Sequence, residues 1–244
     1  MSSPFTYLIT GASRSIGLAY VRALLAARPE AKVVAAVRSP DTAEQLKKVA
    51  EENNGRVLIV KVDLVDAESC KAAAETLEKS GFLSPSDGLD CLINVAGILG
   101  NAVAPSETSP SDVLETISTN VGGTINVTQA FLPLLRKGEG KQNFTISSSC
   151  GSVERFGGNT MYSAYSVSKA ALNMYQSKLA AELGKDDFTV VTVCPGYVAT
   201  DFNNYQGNLS LEESVNPTLA NIFLKATAKE NGLFLQYDGT VVPW

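Results

Sequence analysis

The sequence predicts one α/β domain over residues 1–244, built on a doubly wound, seven-stranded parallel sheet with helices on both faces. Short apolar runs alternate with amphipathic stretches along the chain, as in successive right-handed βαβ units. Several of these runs are apolar at consecutive positions, which is typical of strands covered on both sides. The 244 residues, 45% of them hydrophobic and 18% charged, suffice for one large domain.

The individual elements follow from these runs and from the breaks between them. Strands are expected at residues 7–10, 32–37, 56–62, 90–95, 143–147, 189–194 and 232–237, and helices at 16–27, 42–52, 66–79, 111–136, 164–183 and 211–229. Gly122 and Gly123 are expected to interrupt the helix at 111–136, because glycine disfavours helix interiors. A turn at residues 11–17 joins the first strand to the first helix. No internal repeat or linker divides the chain.

Composition excludes several classes of protein. The net charge is −5 without a long run of Lys or Arg, so we expect no nucleic-acid partner. No apolar stretch is long enough for a membrane span, and residues 1–10 lack the pattern of a signal peptide. The four cysteines, Cys70, Cys91, Cys150 and Cys194, lack metal-site spacing and are expected as reduced thiols in the cytoplasm.

The absence of histidine restricts the chemistry further. A Ser-His or Cys-His nucleophile and a histidine-based metal centre are excluded, and we expect no metal site. Acid–base chemistry at neutral pH must therefore come from Tyr, Lys, Asp, Glu or Cys.

The turn after the first strand predicts a phosphate site. Its sequence, residues 10–17, is Thr-Gly-Ala-Ser-Arg-Ser-Ile-Gly. A glycine-rich turn at this place lets backbone N–H groups reach a pyrophosphate at a helix N-terminus. The alternative is a simple tight connection between strand and helix. The expected cofactor contacts here are Gly11, Ser13, Arg14, Ser15 and Ile16.

The end of the second strand predicts which dinucleotide binds. A carboxylate at this place would hold a ribose 2′-hydroxyl, but the sequence has Val37 and Arg38. Arg38 can pair with a 2′-phosphate, and Arg14 can add a second contact. NADP(H) is therefore preferred over NAD(H). The alternative for either arginine is an exposed side chain without a ligand.

Tyr165 and Lys169 are the candidate acid and its partner. Four residues apart at the start of a helix, they share one face. We expect the ammonium to lower the pKa of Tyr165, so that the phenol can protonate a carbonyl oxygen. Ser148, in a hydroxyl-rich loop after a strand, could bond the same oxygen. The alternatives are an ordinary surface pair and an ordinary serine-rich turn.

These motifs together resemble the short-chain dehydrogenase/reductase family over nearly the full length. The motifs are Thr10-Gly11-x-x-x-Ser15-x-Gly17, Asn94-Val95-Ala96-Gly97, Asn120, Ser148, Tyr165-x-x-x-Lys169 and Pro195-Gly196-x-x-x-Thr200, in the family's order. Within the family the chain is similar to sniffer-like and norsolorinic acid ketoreductase-like carbonyl reductases. The resemblance implies a Rossmann-type fold.

The resemblance also implies roles for single residues. Tyr165 would be the general acid, and Lys169 would lower its pKa and bond the nicotinamide ribose. Ser148 would orient the carbonyl, and Asn120 would hold a helix bend and a water leading to Lys169. Tyr165 and Lys169 would also contact the cofactor. The further cofactor contacts would be Asp63 and Leu64 at the adenine, Asn94, Ala96 and Gly97 beneath the cofactor, and Pro195, Gly196, Val198 and Thr200 at the nicotinamide.

Two departures from the family pattern stand out. Ser15 replaces the family's second glycine, and its Cβ would crowd the turn unless φ stays negative. The segment from Ser148 to Tyr165 is longer than usual, which makes Ser149 and Ser152 rivals of Ser148. Ser148 is preferred because Gly151 follows it three residues later, as in the family that the chain resembles.

The expected function is NADPH-dependent reduction of a small or medium ketone, diketone or aldehyde. The alternatives are an NADP-binding regulatory protein without turnover and an NADP-linked alcohol dehydrogenase acting mainly in oxidation. Residues 98–103, 150–161 and 197–208 are expected to line the substrate site. Its apolar members would be Val153, Phe156, Met161, Tyr162, Tyr197, Phe202 and Tyr205. A homodimer is possible through the helix that carries Tyr165.

Overall fold

A computed structural model describes residues 4–84, 87–155 and 157–244. Its seven strands are ordered β3-β2-β1-β4-β5-β6-β7 in one sheet. They are β1 Thr6–Thr10, β2 Lys32–Val37, β3 Val57–Lys61, β4 Cys91–Asn94, β5 Gln142–Ile146, β6 Thr189–Cys194 and β7 Phe234–Gln236. The order reverses after β1, as in a doubly wound fold. The predicted α/β fold with a seven-stranded parallel sheet is confirmed.

Seven α-helices alternate with the strands in the described residues. They are α1 Ser15–Ala27, α2 Glu44–Glu52, α3 Ala67–Lys79, α4 Pro110–Ile117, α5 Gly123–Lys137, α6 Ser163–Leu183 and α7 Leu211–Thr218. The predicted break in the helix at 111–136 is confirmed, because the wider π-turn Ser118–Gly122 separates α4 from α5. None of the helices in the described ranges is long and apolar enough to cross a membrane.

The prediction of one helix over residues 211–229 is wrong. The α-helix ends at Thr218, and a π-turn, Leu219–Phe223, follows it. Pro217 lies in the last turn of α7, where it has no N–H to donate and its ring crowds the preceding turn. A π-turn is a usual way to accommodate such a break.

The chain forms two compact units, of which the first comprises Met1–Ala96 and Gly123–Asn143. Here β1 pairs in parallel with β2 and with β4, and Ile9 lies opposite both Ala35 and Ile93. Leu8, Ile9 and Val34 are fully buried. Because the strands are parallel, the residues that follow β1, β2, β3 and β4 all lie at one edge of this part of the sheet.

The second unit comprises Gly97–Gly122 and Phe144–Trp244. Strands β6 and β7 pair in parallel, with Val193 opposite Leu235. The buried rings of Phe144 and Phe223 pack with centroids 4.8 Å apart. The Thr116 hydroxyl of α4 lies 2.9 Å from the Asp112 carbonyl of its own helix and 3.2 Å from the carbonyl of Ala164, so α4 packs closely against the start of the helix that carries Tyr165.

Candidate active site

The turn after β1 is shaped by two glycines of the first unit. Gly11 has φ +64°, and a Cβ there would lie 3.0 Å from the Ala96 Cα. A Cβ at Gly17 would lie 2.2 Å from the Gly11 carbonyl oxygen. Any side chain at either position would therefore displace the backbone. The turn ends where α1 makes its first internal hydrogen bond, from Leu18 N–H to the Arg14 carbonyl. The backbone N–H groups before Leu18 therefore make no bond within the helix.

Ser15 keeps the backbone conformation of a glycine. Its φ is +49°, in the left-handed region that side chains rarely adopt. Because φ is positive, the crowding expected from a side chain at this position applies, and the Ser15 Cβ is accommodated under strain. A left-handed non-glycine residue costs on the order of 1 kcal/mol.

We expect Ser15→Gly to raise the free energy of unfolding by about 0.5–1 kcal/mol, because the relieved strain exceeds the added entropy of the unfolded chain. Ser13→Gly is the matched control in the same turn, since Ser13 has no positive φ. It should lower stability, because only the entropic effect remains. Urea denaturation measures both variants, and equal losses in the two would contradict the strain at Ser15.

The other predicted contacts of the first unit lie at the same sheet edge. The Thr10 hydroxyl accepts from the N–H groups of Val95, at 2.9 Å, and Ala96, at 3.2 Å, which holds the segment after β4 against the turn. Arg38 follows β2 with an exposed side chain. The remaining predicted residues here are Ser13 and Ile16 in the turn, Asp63 and Leu64 after β3, and Asn94 at the end of β4.

Lys169 is a buried amine in the second unit. Its side chain is 4% exposed, and its Nζ donates to the Ile146 carbonyl at 2.9 Å, at the end of β5. Burial lowers the pKa of Lys169 to about 8, although the neighbouring Cys194 and Cys150 act in the opposite direction. The amine is therefore still mainly protonated at neutral pH. Its Nζ lies 5.6 Å from the ring centroid of Tyr165.

The expected lowering of the pKa of Tyr165 is wrong for this structure. Burial raises that pKa well above its ordinary value, with a further rise from Cys150, while a hydrogen bond with Ser148 acts in the opposite direction. Desolvation of the phenolate is the largest cause, and it outweighs the hydrogen bond with Ser148. The consequence is a phenol that stays protonated at neutral pH, which is the form a proton donor needs.

Asn120 connects the π-turn to the residues around Lys169. It is fully buried, its Oδ1 accepts from Ile98 N–H at 2.8 Å, and its Nδ2 donates to the Ile98 carbonyl at 2.9 Å and to the Ser168 hydroxyl at 2.9 Å. A Cβ at Gly97 would lie 2.9 Å from the Asn120 Oδ1 and 3.8 Å from the Lys169 Nζ. Gly97 thus leaves room beside two polar groups.

Hydrogen bonds distinguish Ser148 from the two other candidate serines, Ser149 and Ser152. Ser148 is the serine bonded to Tyr165, and its Oγ accepts from Cys150 N–H at 3.1 Å. Ser152 is 2% exposed, and its hydroxyl donates to the Pro243 carbonyl at 2.6 Å instead. Ser149 begins the short turn Ser149–Gly151, and its N–H donates to the Cys194 sulfur at 3.3 Å.

Sequence reasoning missed Asn173. Its Oδ1 accepts from the Ser147 hydroxyl at 2.5 Å, and its Nδ2 donates to the Gly151 carbonyl at 3.3 Å. Asn173 thereby ties the end of β5 and the turn after Ser148 to α6. Its position four residues after Lys169, on the same helix face, is the signal that could have found it.

The loop after β6 brings an aromatic ring to Tyr165. Phe202 lies edge-on to the Tyr165 ring, with centroids 6.0 Å apart. Asn203 fixes this loop, since its Nδ2 donates to the Val198 and Gln206 carbonyls and its Oδ1 accepts from Thr200 N–H. The predicted contacts Pro195 and Gly196 precede the loop, and Val198 and Thr200 are buried within it.

Several predicted wall residues are exposed, as a substrate surface requires. They are Val153, Met161, Tyr197, Phe202 and Tyr205. Tyr162 is partly buried and precedes α6 with a φ of +59°. Phe156 lies outside the described residues.

Comparison with known proteins shows the family to which the chain belongs. A sequence model of the short chain dehydrogenase family matches residues 6–208. An uncharacterized oxidoreductase of Schizosaccharomyces pombe is 33% identical over 256 residues, covering 98% of this chain and 97% of its own. The NADPH-bound carbonyl reductase from chicken fatty liver is 31% identical with a TM-score of 0.91, and both chains are covered completely. The carbonyl reductase Sniffer of Drosophila melanogaster is 30% identical with a TM-score of 0.89, covering 99% of this chain and 100% of its own. The chain is therefore an oxidoreductase that belongs to the short-chain dehydrogenase family.

Proposed function

We propose that this protein is an NADPH-dependent carbonyl reductase in which Tyr165 is the general acid. The observation that carries the proposal is the group at the end of β5. There the partly buried phenol of Tyr165 is bonded to Ser148 and lies beside the buried amine of Lys169. Two solved relatives are carbonyl reductases by name, and one of them was solved with NADPH.

The chain's own residues supply position and a proton. Bound NADPH would supply the hydride for the carbonyl carbon. Ser148 Oγ accepts from Cys150 N–H, and its own proton would turn from the Tyr165 oxygen to a carbonyl oxygen when a substrate binds. Tyr165 donates its phenolic proton to the same oxygen. Lys169, held at the Ile146 carbonyl, stabilises the phenolate left on Tyr165 and would bond the nicotinamide ribose of a bound cofactor.

The residues of the first unit suit the phosphate-bearing half of the cofactor. Gly11 and Gly17 let the backbone of the turn pack closely at the start of α1, where the first N–H groups of a helix stabilise a pyrophosphate. Arg14 at the helix start has no side-chain oxygen with which to cap those groups. The exposed Arg38 at the end of β2 suits a 2′-phosphate.

We expect Arg38→Ala to lower kcat/KM with NADPH about 10- to 100-fold while the value with NADH changes little. A hydrogen bond to a charged group contributes about 1.5–3 kcal/mol, which corresponds to that range. Arg22→Ala, at another exposed arginine of the first unit, is the matched control and should leave both values unchanged. Initial rates and dissociation constants with NADPH and NADH test this role of Arg38. An equal loss with both would refute the role of Arg38.

The walls of the site favour an apolar carbonyl compound. Phe202, Tyr205 and Val153 offer exposed apolar surface in the second unit, and Phe202 contacts the ring of Tyr165. Arg155, the one arginine of the expected wall 150–161, donates to the Gln236 side chain at 3.2 Å. A small or medium ketone, diketone or aldehyde without a carboxylate or phosphate fits these residues.

The proposal is tested by NADPH oxidation against a panel of aliphatic ketones, aryl ketones, vicinal diketones and aldehydes, with NADH alongside. We expect turnover with NADPH and with several apolar members of the panel. Bound nucleotide without turnover would favour the regulatory alternative. Turnover found only with alcohols and NADP⁺ would favour the oxidising dehydrogenase.

A further inference from the structure

Ser152 has two bonds that fix the exit of the turn after Ser148. Its hydroxyl donates to the Pro243 carbonyl at 2.6 Å and accepts from Arg155 N–H at 3.0 Å. The side chain is 2% exposed, so neither bond can be replaced readily by water. Ser152 and Pro243 are 91 positions apart, and the bond therefore joins the turn to a distant segment.

The acceptor of this bond is itself held in place. Trp244 stacks on the buried ring of Phe234 in β7, with centroids 5.3 Å apart and planes 28° apart. The Trp244 carbonyl accepts from Glu154 N–H at 3.4 Å. Segment 243–244 is thus anchored to β7 on one side and contacts the loop at Ser152 and Glu154 on the other.

The turn held in this way determines the orientation of the Ser148 hydroxyl. Gly151 N–H donates to the Ser148 carbonyl at 2.9 Å, and Ser152 N–H donates to the Ser149 carbonyl at 3.0 Å. The same turn aims Cys150 N–H at the Ser148 Oγ. Asn173 holds the Gly151 carbonyl of this turn, and Ser152 holds its exit. Without the Ser152 hydroxyl, the Cys150 N–H would keep only part of its fixed direction, and Ser148 would be oriented less well toward Tyr165.

We propose that Ser152 is a positioning residue for Ser148, and that Trp244 seats the Pro243 carbonyl that Ser152 requires. The inference rests on the proposed carbonyl reduction. Neither residue needs to touch the substrate, because both act through the turn Ser149–Gly151. Loss of either side chain should lower kcat, since a misplaced Ser148 orients the reacting oxygen poorly.

Cys150 offers a reporter that does not depend on turnover. It is exposed and lies in this turn, whereas Cys70, Cys91 and Cys194 are buried. Burial raises the pKa of Cys70 to about 11 and that of Cys91 above its ordinary value, so these two thiols react slowly. The rate of the fast iodoacetamide reaction therefore measures the order of the turn.

The test uses the full-length Ser152→Ala, Trp244→Ala and Trp244→Phe variants. Ser80→Ala is the matched control, because it removes another bond from a serine hydroxyl to a backbone carbonyl, at 2.7 Å, in the first unit. We expect Ser152→Ala and Trp244→Ala to lower kcat about tenfold, with both KM values within about twofold. Alkylation of Cys150 should become several-fold faster. Trp244→Phe, which keeps the stacking, should restore both properties, and Ser80→Ala should change neither.

Unchanged kcat in both alanine variants, or reduced kcat with an unchanged Cys150 rate, would overturn the proposal. So would a loss in Ser80→Ala equal to that in Ser152→Ala. If Ser152→Ala does not fold, Trp244→Ala decides, since Trp244 is 43% exposed. A wild-type protein that reduces no carbonyl compound would refute the proposed function instead. The alkylation rates of Cys150 alone would then show whether Ser152 and Trp244 hold the turn in place.

Discussion

Replacing Tyr165 with phenylalanine is expected to lower kcat for carbonyl reduction by about 10²- to 10⁴-fold, the usual contribution of a positioned general acid. The substitution removes only the hydroxyl, so the ring contact with Phe202 remains. The loss should appear in kcat and in kcat/KM alike, because the proton is transferred only in the transition state. Steady-state rates with NADPH and a carbonyl substrate give the result.

Tyr175→Phe is the control for this substitution. Tyr175 lies on α6 ten residues after Tyr165 and outside the proposed machinery. Its variant should keep the wild-type kcat, and both variants should bind NADPH with dissociation constants close to that of the wild type. A Tyr165→Phe protein with more than a third of wild-type turnover would show that another group donates the proton.

Lys169→Met is expected to abolish most of the activity while making the protein more stable. The difference between a pKa of about 8 in the folded chain and an ordinary value of 10.5 corresponds to about 3 kcal/mol of destabilisation at pH 7. Methionine removes this cost, and the lost bond to the Ile146 carbonyl offsets about 1 kcal/mol. A net gain of about 2 kcal/mol in unfolding free energy is therefore expected, of the kind seen when a functional group is removed from its site.

The gain should depend on pH in a defined window. Below about pH 8 the lysine is protonated in both states, so the penalty is fully present in the wild type. Between about pH 8 and 10.5 only the unfolded chain holds this proton, and the stability of the wild type relative to the variant rises with pH. Cys150, Cys194 and Tyr165, which are titratable groups near Lys169, are common to both proteins. Urea denaturation from pH 7 to 9.5 should thus show the gain shrinking.

Lys178→Met provides the comparison on the same helix. Lys178 is exposed, so its variant should differ from the wild type by less than about 0.5 kcal/mol at every pH. A Lys169→Met protein that is less stable than the wild type at pH 7, or whose gain grows with pH, would contradict the lowered pKa of the buried Lys169.

Local sequence patterns predicted the fold well but not every element. The bounds of β2 and β6 agree with the apolar runs that predicted them, because both strands are buried along almost their whole length. The helix expected at 211–229 failed at Pro217, where a local backbone restriction outweighed a favourable helical pattern. Residue composition alone did not reveal that the chain would continue as a π-turn.

The candidate site shows where sequence reasoning stops. Spacing on one helix face placed Tyr165 with Lys169, and the structure has both beside the end of β5. The predicted direction of the shift in the Tyr165 pKa was wrong, because desolvation depends on all the residues packed around the ring. The bond from Ser152 to Pro243 has no local signal at all, since its partners are 91 positions apart. The roles of the site residues stay predictions until variants are measured.

The most direct measurement of the central claim follows deuterium from NADPH labelled at the transferable position of the nicotinamide. The wild-type protein should convert an apolar ketone to its alcohol with one deuterium on the carbinol carbon, and one NADPH should be oxidised per alcohol formed. Tyr165→Phe should give almost no labelled alcohol under the same conditions while still binding the nucleotide. Tight NADPH binding without labelled alcohol from any ketone, diketone or aldehyde would contradict carbonyl reduction by this protein.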